Sequence, residues 1–215
     1  RRHFDTAVRI LPDSLKAWRN RASVDYQLGD MDASLAGYAH VLERAPDDTT
    51  TARVMGVIYL GEERYDEAVA SFEHVLQYGE HRGALIYLAS TQMQWGQNDA
   101  ATESLQRALA LDADCFICHY NLGNLYFTTE AHERALESFR RAVELKADDV
   151  DARFNLAITH LALKELDAAQ PLLESLSVEV PENGIVWREL GRIYALKAQI
   201  PESEAAYERA EALGE

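Results

Sequence analysis

Small and large apolar residues recur along the chain in fixed columns. Ala22, Gly56, Ala89, Gly123, Ala157 and Gly191 follow one another at spacings of 34, 33, 34, 34 and 34 residues. Phe4, Tyr38, Phe72, Leu105, Phe139, Leu173 and Tyr207 keep the same register with the same single short step. Three residues further on, Ala7, Val41, Val75, Ala108, Ala142, Leu176 and Ala210 do so again, and Ser34, Ala68, Ala101, Ala135, Ala169 and Ser203 form a fourth column. A period of this length marks a repeat architecture, in which each unit buries its apolar face against the next. Within a unit the apolar residues fall at helical spacing, as in Asn121 to Tyr126 and in Ala135, Phe139 and Ala142, which predicts two helices per unit. Where two helices cross, a small residue lets the backbones approach and a large one fills the space beside it.

Prolines punctuate the pattern. Pro12, Pro46 and Pro181 follow second helices, and Pro201 suits the first turn of one. Pro171 falls inside its expected helix and predicts a kink or a late helix start.

Asn121-Leu122-Gly123-Asn124-Leu125-Tyr126 with Ala135, Phe139 and Ala142 resembles the tetratricopeptide repeat, Trp-x2-Leu-Gly-x2-Tyr…Ala…Phe…Ala…Pro. Trp187, Leu190, Gly191 and Tyr194 match in the last unit, and Trp18, Ala22, Tyr38 and Pro46 in the first full one. Gln92 and His160 depart from the Tyr the family prefers, and one unit is a residue short near Gly79 to His81. The resemblance implies an all-α fold, a right-handed α-solenoid of helix-turn-helix repeats whose first helices line a concave face. It covers the chain as a half unit at 1–14 and six units at 15–48, 49–81, 82–115, 116–149, 150–183 and 184–215, expected as one solenoid without an internal domain boundary. The opening half unit is a second helix without its partner. Phe4, Ala7, Val8 and Leu11 are therefore expected to be partly bared, as in a piece of a longer protein or one capped by a neighbouring chain.

Charge narrows the function. The 215 residues carry a net charge of −15, which disfavours nucleic acid and anionic membrane surfaces as partners. No apolar run is long enough for membrane insertion, and 47% hydrophobic residues are too many for disorder. Counted over the first fourteen residues of each full unit, nine Lys/Arg face four acids, so the groove side is expected to be neutral to mildly basic. Arg19, Asn20, Arg53, Met93, Tyr120, Asn121, Asn124, Phe127, Phe154, Asn155, Arg188 and Arg192 are the candidate groove residues. The resemblance implies that Asn20, Asn121 and Asn155 stand where relatives hold a bound peptide's backbone, because an amide both donates and accepts. With apolar neighbours such as Ile158 and Leu161 and Arg at both ends, the groove suits an extended or helical peptide with apolar anchors. Phe154, Ile158 and Leu161 suit plain packing between first helices equally well.

Catalytic motifs are absent. No phosphate-binding glycine loop and no His-x-x-x-His pair occurs, and Glu62, Glu63, Asp66 and Glu67 read as a solvated turn. A non-enzymatic interaction scaffold in a larger protein or assembly is the reading that follows, with a protein or peptide as partner and no metal or cofactor. Cys115-Phe116-Ile117-Cys118-His119 supports an alternative, since it is the attachment signature of c-type haem in an electron-transfer protein. Met93, His81 and His160 are then the distal ligands by type, and the setting periplasmic or extracellular rather than cytoplasmic. Inert packing of Cys118 and His119, or a redox or metal-binding dithiol, are the other readings of this segment. A last alternative is head-to-tail self-assembly through the bared half unit.

Overall fold

The computed structural model describes residues 2–215. Among them are thirteen α-helices and no strand. In chain order these are α1 Arg2–Ile10, α2 Leu15–Gln27, α3 Met31–Arg44, α4 Thr49–Gly61, α5 Tyr65–Leu76, α6 Arg82–Gln94 and α7 Asn98–Leu111, followed by α8 Phe116–Thr128, α9 His132–Leu145, α10 Val150–Ala162, α11 Leu166–Glu179, α12 Gly184–Leu196 and α13 Ile200–Ala212. They gather into two compact units, one ending at Ala113 and the other spanning Asp114–Glu215, each all-α and built of solenoid-type helix pairs.

Every first helix starts the same way. Ser14, Asp48, His81, Cys115, Asp149 and Asn183 precede α2, α4, α6, α8, α10 and α12, and each side chain accepts from an N–H of the first turn. Such a cap satisfies one of the donors that a helix start leaves without a partner. Every first helix also stops the same way. The backbone N–H groups of Asp30, Arg64, Gln97, Ala131, Glu165 and Gln199 reach back to the carbonyls of Asp25, Tyr59, Gln92, Tyr126, His160 and Tyr194. The residue before each of these six donors has positive φ: Gly29, Glu63, Gly96, Glu130, Lys164 and Ala198. This is a Schellman stop, and only two of the six carry the glycine that the left-handed conformation favours. Ala198→Gly is accordingly expected to raise stability by about 1 kcal/mol and Gly29→Ala to lower it by a similar amount, read as opposite shifts of the urea midpoint.

The columns found in the sequence meet in space. A Cβ added to Gly56 would lie 2.7 Å from the Phe72 ring, and one added to Gly123 would lie 2.6 Å from Phe139. Gly191 lies against Tyr207 in the same way. The pair is inverted in α2 and α3, where Gly37 of the second helix makes room for Ala22 of the first. Phe72 and Phe139 are fully buried.

The last residue of the family's helix motif is polar at all six copies, and each side chain has its own partner. Gln92 accepts from Ser104 Oγ at 2.8 Å, and His160 Nδ1 lies 2.6 Å from Glu165. Arg134 donates to Tyr126 Oη and covers its ring, Arg64 covers Tyr59, and Tyr194 Oη donates to Glu174 at 3.0 Å. Burial first, and then Glu174, push the Tyr194 phenol up to about 12. Asp25 is a third departure from Tyr, fully buried 3.6 Å from Arg21, which also holds Asp5 of α1 at 2.9 Å.

Two expectations need partial correction. Of the two outcomes expected at Pro171, a kink or a late helix start, the late start does not occur, because α11 begins at Leu166 as its counterparts do and carries Pro171 inside. The half unit is partly bared as expected except at Val8. Packing of α1 on α2 buries Val8 and half-buries Phe4 and Ala7, so exposure concentrates at Ile10 (66%) and Leu11 (59%). Among the described residues no helix is long and apolar enough to cross a membrane.

Candidate functional site

The candidate groove residues fall into two groups, one in each compact unit. In the second unit α8 and α10 bring four of them together. Asn155 Nδ2 donates to Asn124 Oδ1 at 3.0 Å and to Tyr120 Oη at 3.3 Å. This polar cluster rims an apolar cleft of about 170 Å³ lined by Asn124, Phe127, Thr128, Phe139, Asn155 and Ile158. Helical phase explains the meeting. Tyr120, Asn124 and Phe127 are four and three residues apart on α8 and so share a face, and Asn155 and Ile158, three apart on α10, share the face that meets it. Tyr120 is fixed from two sides, by Phe116 stacked at 5.9 Å and by the edge of Phe139 at 6.0 Å. Lys146 sits over the outer face of Phe116 and bonds Asp149 at 2.7 Å. That hydrogen bond holds the Asp149 carboxyl below the usual carboxylate range and raises the lysine, so the cap of α10 stays charged.

Other expected residues take different roles. Asn155 pairs with Asn124 of the preceding repeat, and Asn121 stands half-buried on α8. Phe154 packs against the core of α10 to α12, and Leu161 is buried within it. The arginines are not a free basic strip. Arg188 bonds Glu215 at 2.5 Å and lies 3.4 Å from Glu189, as does Arg192. Arg153 and Lys197 are likewise paired, with Glu179 and Asp167. In the first unit Arg19 bonds Asp48 at 3.1 Å, Arg82 bonds Asp112, and Met93 is half-buried on α6. Arg19 and Asn20 line a shallow hollow with Lys16, Ser23, Tyr38 and Val54, and burial raises the Tyr38 phenol there. Arg53 stands half-buried on α4 and does not line that hollow.

The Cys-x-x-Cys-His segment is the start of α8. Cys115 caps the helix, its Sγ accepting from Cys118 N at 3.3 Å, and the two sulfurs are joined in a disulfide. Cys118 occupies the buried column of Ala17, Thr51, Ala84, Ala152 and Val186 and is completely inaccessible. A c-type haem does not fit here. Both sulfurs would have to carry thioether bonds to a tetrapyrrole, and Cys118 has no open side on which to carry one. Two of the three side chains named as distal ligands have other work, since His81 Nδ1 caps α6 and His160 faces Glu165. Among the described residues no three His, Cys, Asp or Glu side chains converge on a possible metal.

Models of the tetratricopeptide repeat match residues 54–78, 88–152 and 126–200, together more than half of the chain. The chain belongs to the tetratricopeptide repeat family. A tetratricopeptide repeat protein from Parabacteroides merdae superposes with a TM-score of 0.79 over 94% of this chain and 81% of its own, at 18% identity. YrrB, described as a tetratricopeptide repeat protein with an unusual peptide-binding site, gives 0.70 over 85% and 95% at 22% identity. MamA gives 0.68 over 79% and 96% at 20% identity. In sequence, the human protein O-mannosyl-transferase TMTC1 is 24% identical over 161 residues, 73% of this chain. The tetratricopeptide chain spans only 18% of that relative's length.

Proposed function

We propose that this tetratricopeptide chain is a non-enzymatic interaction module that grips an extended segment of a partner protein at α8 and α10. The observation that carries this reading is the Asn124, Asn155 and Tyr120 cluster at the lip of an apolar cleft. An amide pair that bonds itself can exchange those bonds for a peptide group, donating from one nitrogen and accepting at one oxygen without reading sequence. The cleft behind it has the size and lining for one aliphatic side chain of the partner. Ion pairs already neutralise most of the first-helix arginines, so apolar anchoring and backbone recognition carry the binding. The peptide-binding site named for YrrB, which shares the fold, supports this use of it.

Selection of a random peptide display library on the purified protein tests the proposal. Enriched peptides are expected to share one aliphatic residue and to weaken about tenfold on Asn155→Ala, as losing a hydrogen bond at a desolvated site costs about 1 to 1.5 kcal/mol. Ile158→Glu, which places a charge in the cleft, is expected to abolish their binding. Selected peptides that bind both variants as tightly as the parent would sink the reading.

A further inference from the structure

We propose that Cys115 and Cys118 form a site of reversible thiol–disulfide exchange with a small-molecule thiol, and that Cys115 is the sulfur attacked. The inference stands independently of the peptide cleft. These are the only two cysteines of the chain, and they are bonded across a sequence separation of three. Such a bond lies within one helical turn and ties no two elements together, so it contributes little as a cross-link.

Opening the bond leaves the local structure with everything it needs. The Sγ of Cys115 already caps α8, and at five other helix starts an uncrosslinked Ser, Asp, His or Asn side chain does the same work. The reduced pair therefore has a ready conformation. Its outer sulfur lies at the N-terminus of a thirteen-residue helix, where backbone amides favour a thiolate. The two sulfurs are not equivalent. Cys118 is 0% exposed and Cys115 6%, and Cys115 follows the exposed Asp114 while Cys118 is locked into the core column.

In the exchange, an external thiolate bonds to Cys115 Sγ while the Cys115–Cys118 bond breaks. The electron pair leaves on Cys118 Sγ, which takes up a proton. A second external thiolate attacks the outer sulfur of the mixed disulfide, releasing the oxidised small-molecule disulfide and the Cys115 thiolate. Two thiols are oxidised and one protein disulfide is reduced.

Intact-mass counting of alkylated thiols in glutathione buffers of stepped ratio tests this, with far-ultraviolet circular dichroism recorded beside it. The whole chain is expected to pass between no free thiols and two, reversibly, with its helical signal unchanged. Exposed to oxidised glutathione, Cys118→Ala is expected to gain one glutathione, and Cys115→Ser to react at least tenfold more slowly. A disulfide that yields only after urea unfolds the chain overturns the proposal, as do two thiols that never oxidise in the folded protein. Faster glutathione uptake by Cys115→Ser overturns the assignment of the attacked sulfur. If either variant loses its helical signal, the reversibility of the unsubstituted protein decides the matter alone.

Discussion

Phe139→Ala is expected to lower the stability of the second unit by about 3 to 5 kcal/mol, the usual cost of emptying a buried aromatic site. The ring is fully buried, lies over the backbone of Gly123 and forms one wall of the apolar cleft. Its loss opens a hole that α8 cannot close without giving up the α8–α9 packing. The companion change Gly123→Ala inserts a methyl where the ring stands and is expected to cost about 1 to 3 kcal/mol. Combined with Phe139→Leu, which vacates part of that space, Gly123→Ala is expected to cost clearly less than the two single changes added together. Urea unfolding of the four proteins measures this, and strict additivity would show that the two positions do not share one space.

Pro171→Ala is expected to act in the opposite direction and to raise stability by about 1 to 3 kcal/mol. As the sixth residue of α11, Pro171 has no N–H to donate to the Asp167 carbonyl, and its ring crowds that carbonyl. Alanine restores the bond and removes the crowding. Pro201 provides the contrast. It lies in the first turn of α13, where an N–H has no partner within the helix, so Pro201→Ala is expected to bring no gain. A rise in the urea midpoint for Pro171→Ala alone confirms the difference. Equal effects at both positions would mean that α11 already relieves its proline elsewhere.

The fold could be read from the sequence because packing repeats itself. Gly56, Gly123 and Gly191 of the small-residue column lie against Phe72, Phe139 and Tyr207 of the large one, each contact joining the two helices of a pair. What escaped depends on geometry that a single-residue pattern does not carry. The stops of the first helices use a left-handed residue at all six copies, but four of them disguise it as Glu, Lys or Ala. The arginine pairs join the start of a first helix to the loop after its second helix, as in Arg19 with Asp48 and Arg188 with Glu215. That relation is invisible when charges are summed by segment. Asn155 meets Asn124 at a separation of 31 residues, one repeat less one helical turn. The period places Asn155 in line with Asn121, so its contact with Asn124 follows from how α8 and α10 pack and not from the repeat pattern. Cys115 was hidden by its own motif, since the column of caps it joins contains Ser, Asp, His and Asn.

The glycine–aromatic contacts also constrain how such a chain can diverge. Gly123 cannot gain a methyl while residue 139 keeps its ring, and residue 139 cannot lose its ring without opening a hole beside the bare backbone of Gly123. Either step alone passes through a weakened ancestor, so the two sites can change freely only in concert. In α2 and α3 a methyl (Ala22) and a ring (Tyr38) stand together at the two column positions, and the bare backbone lies instead at Gly37, beside Ala22. Descendants of this repeat should therefore carry their small residue on one helix or the other of a pair, and seldom lack it on both.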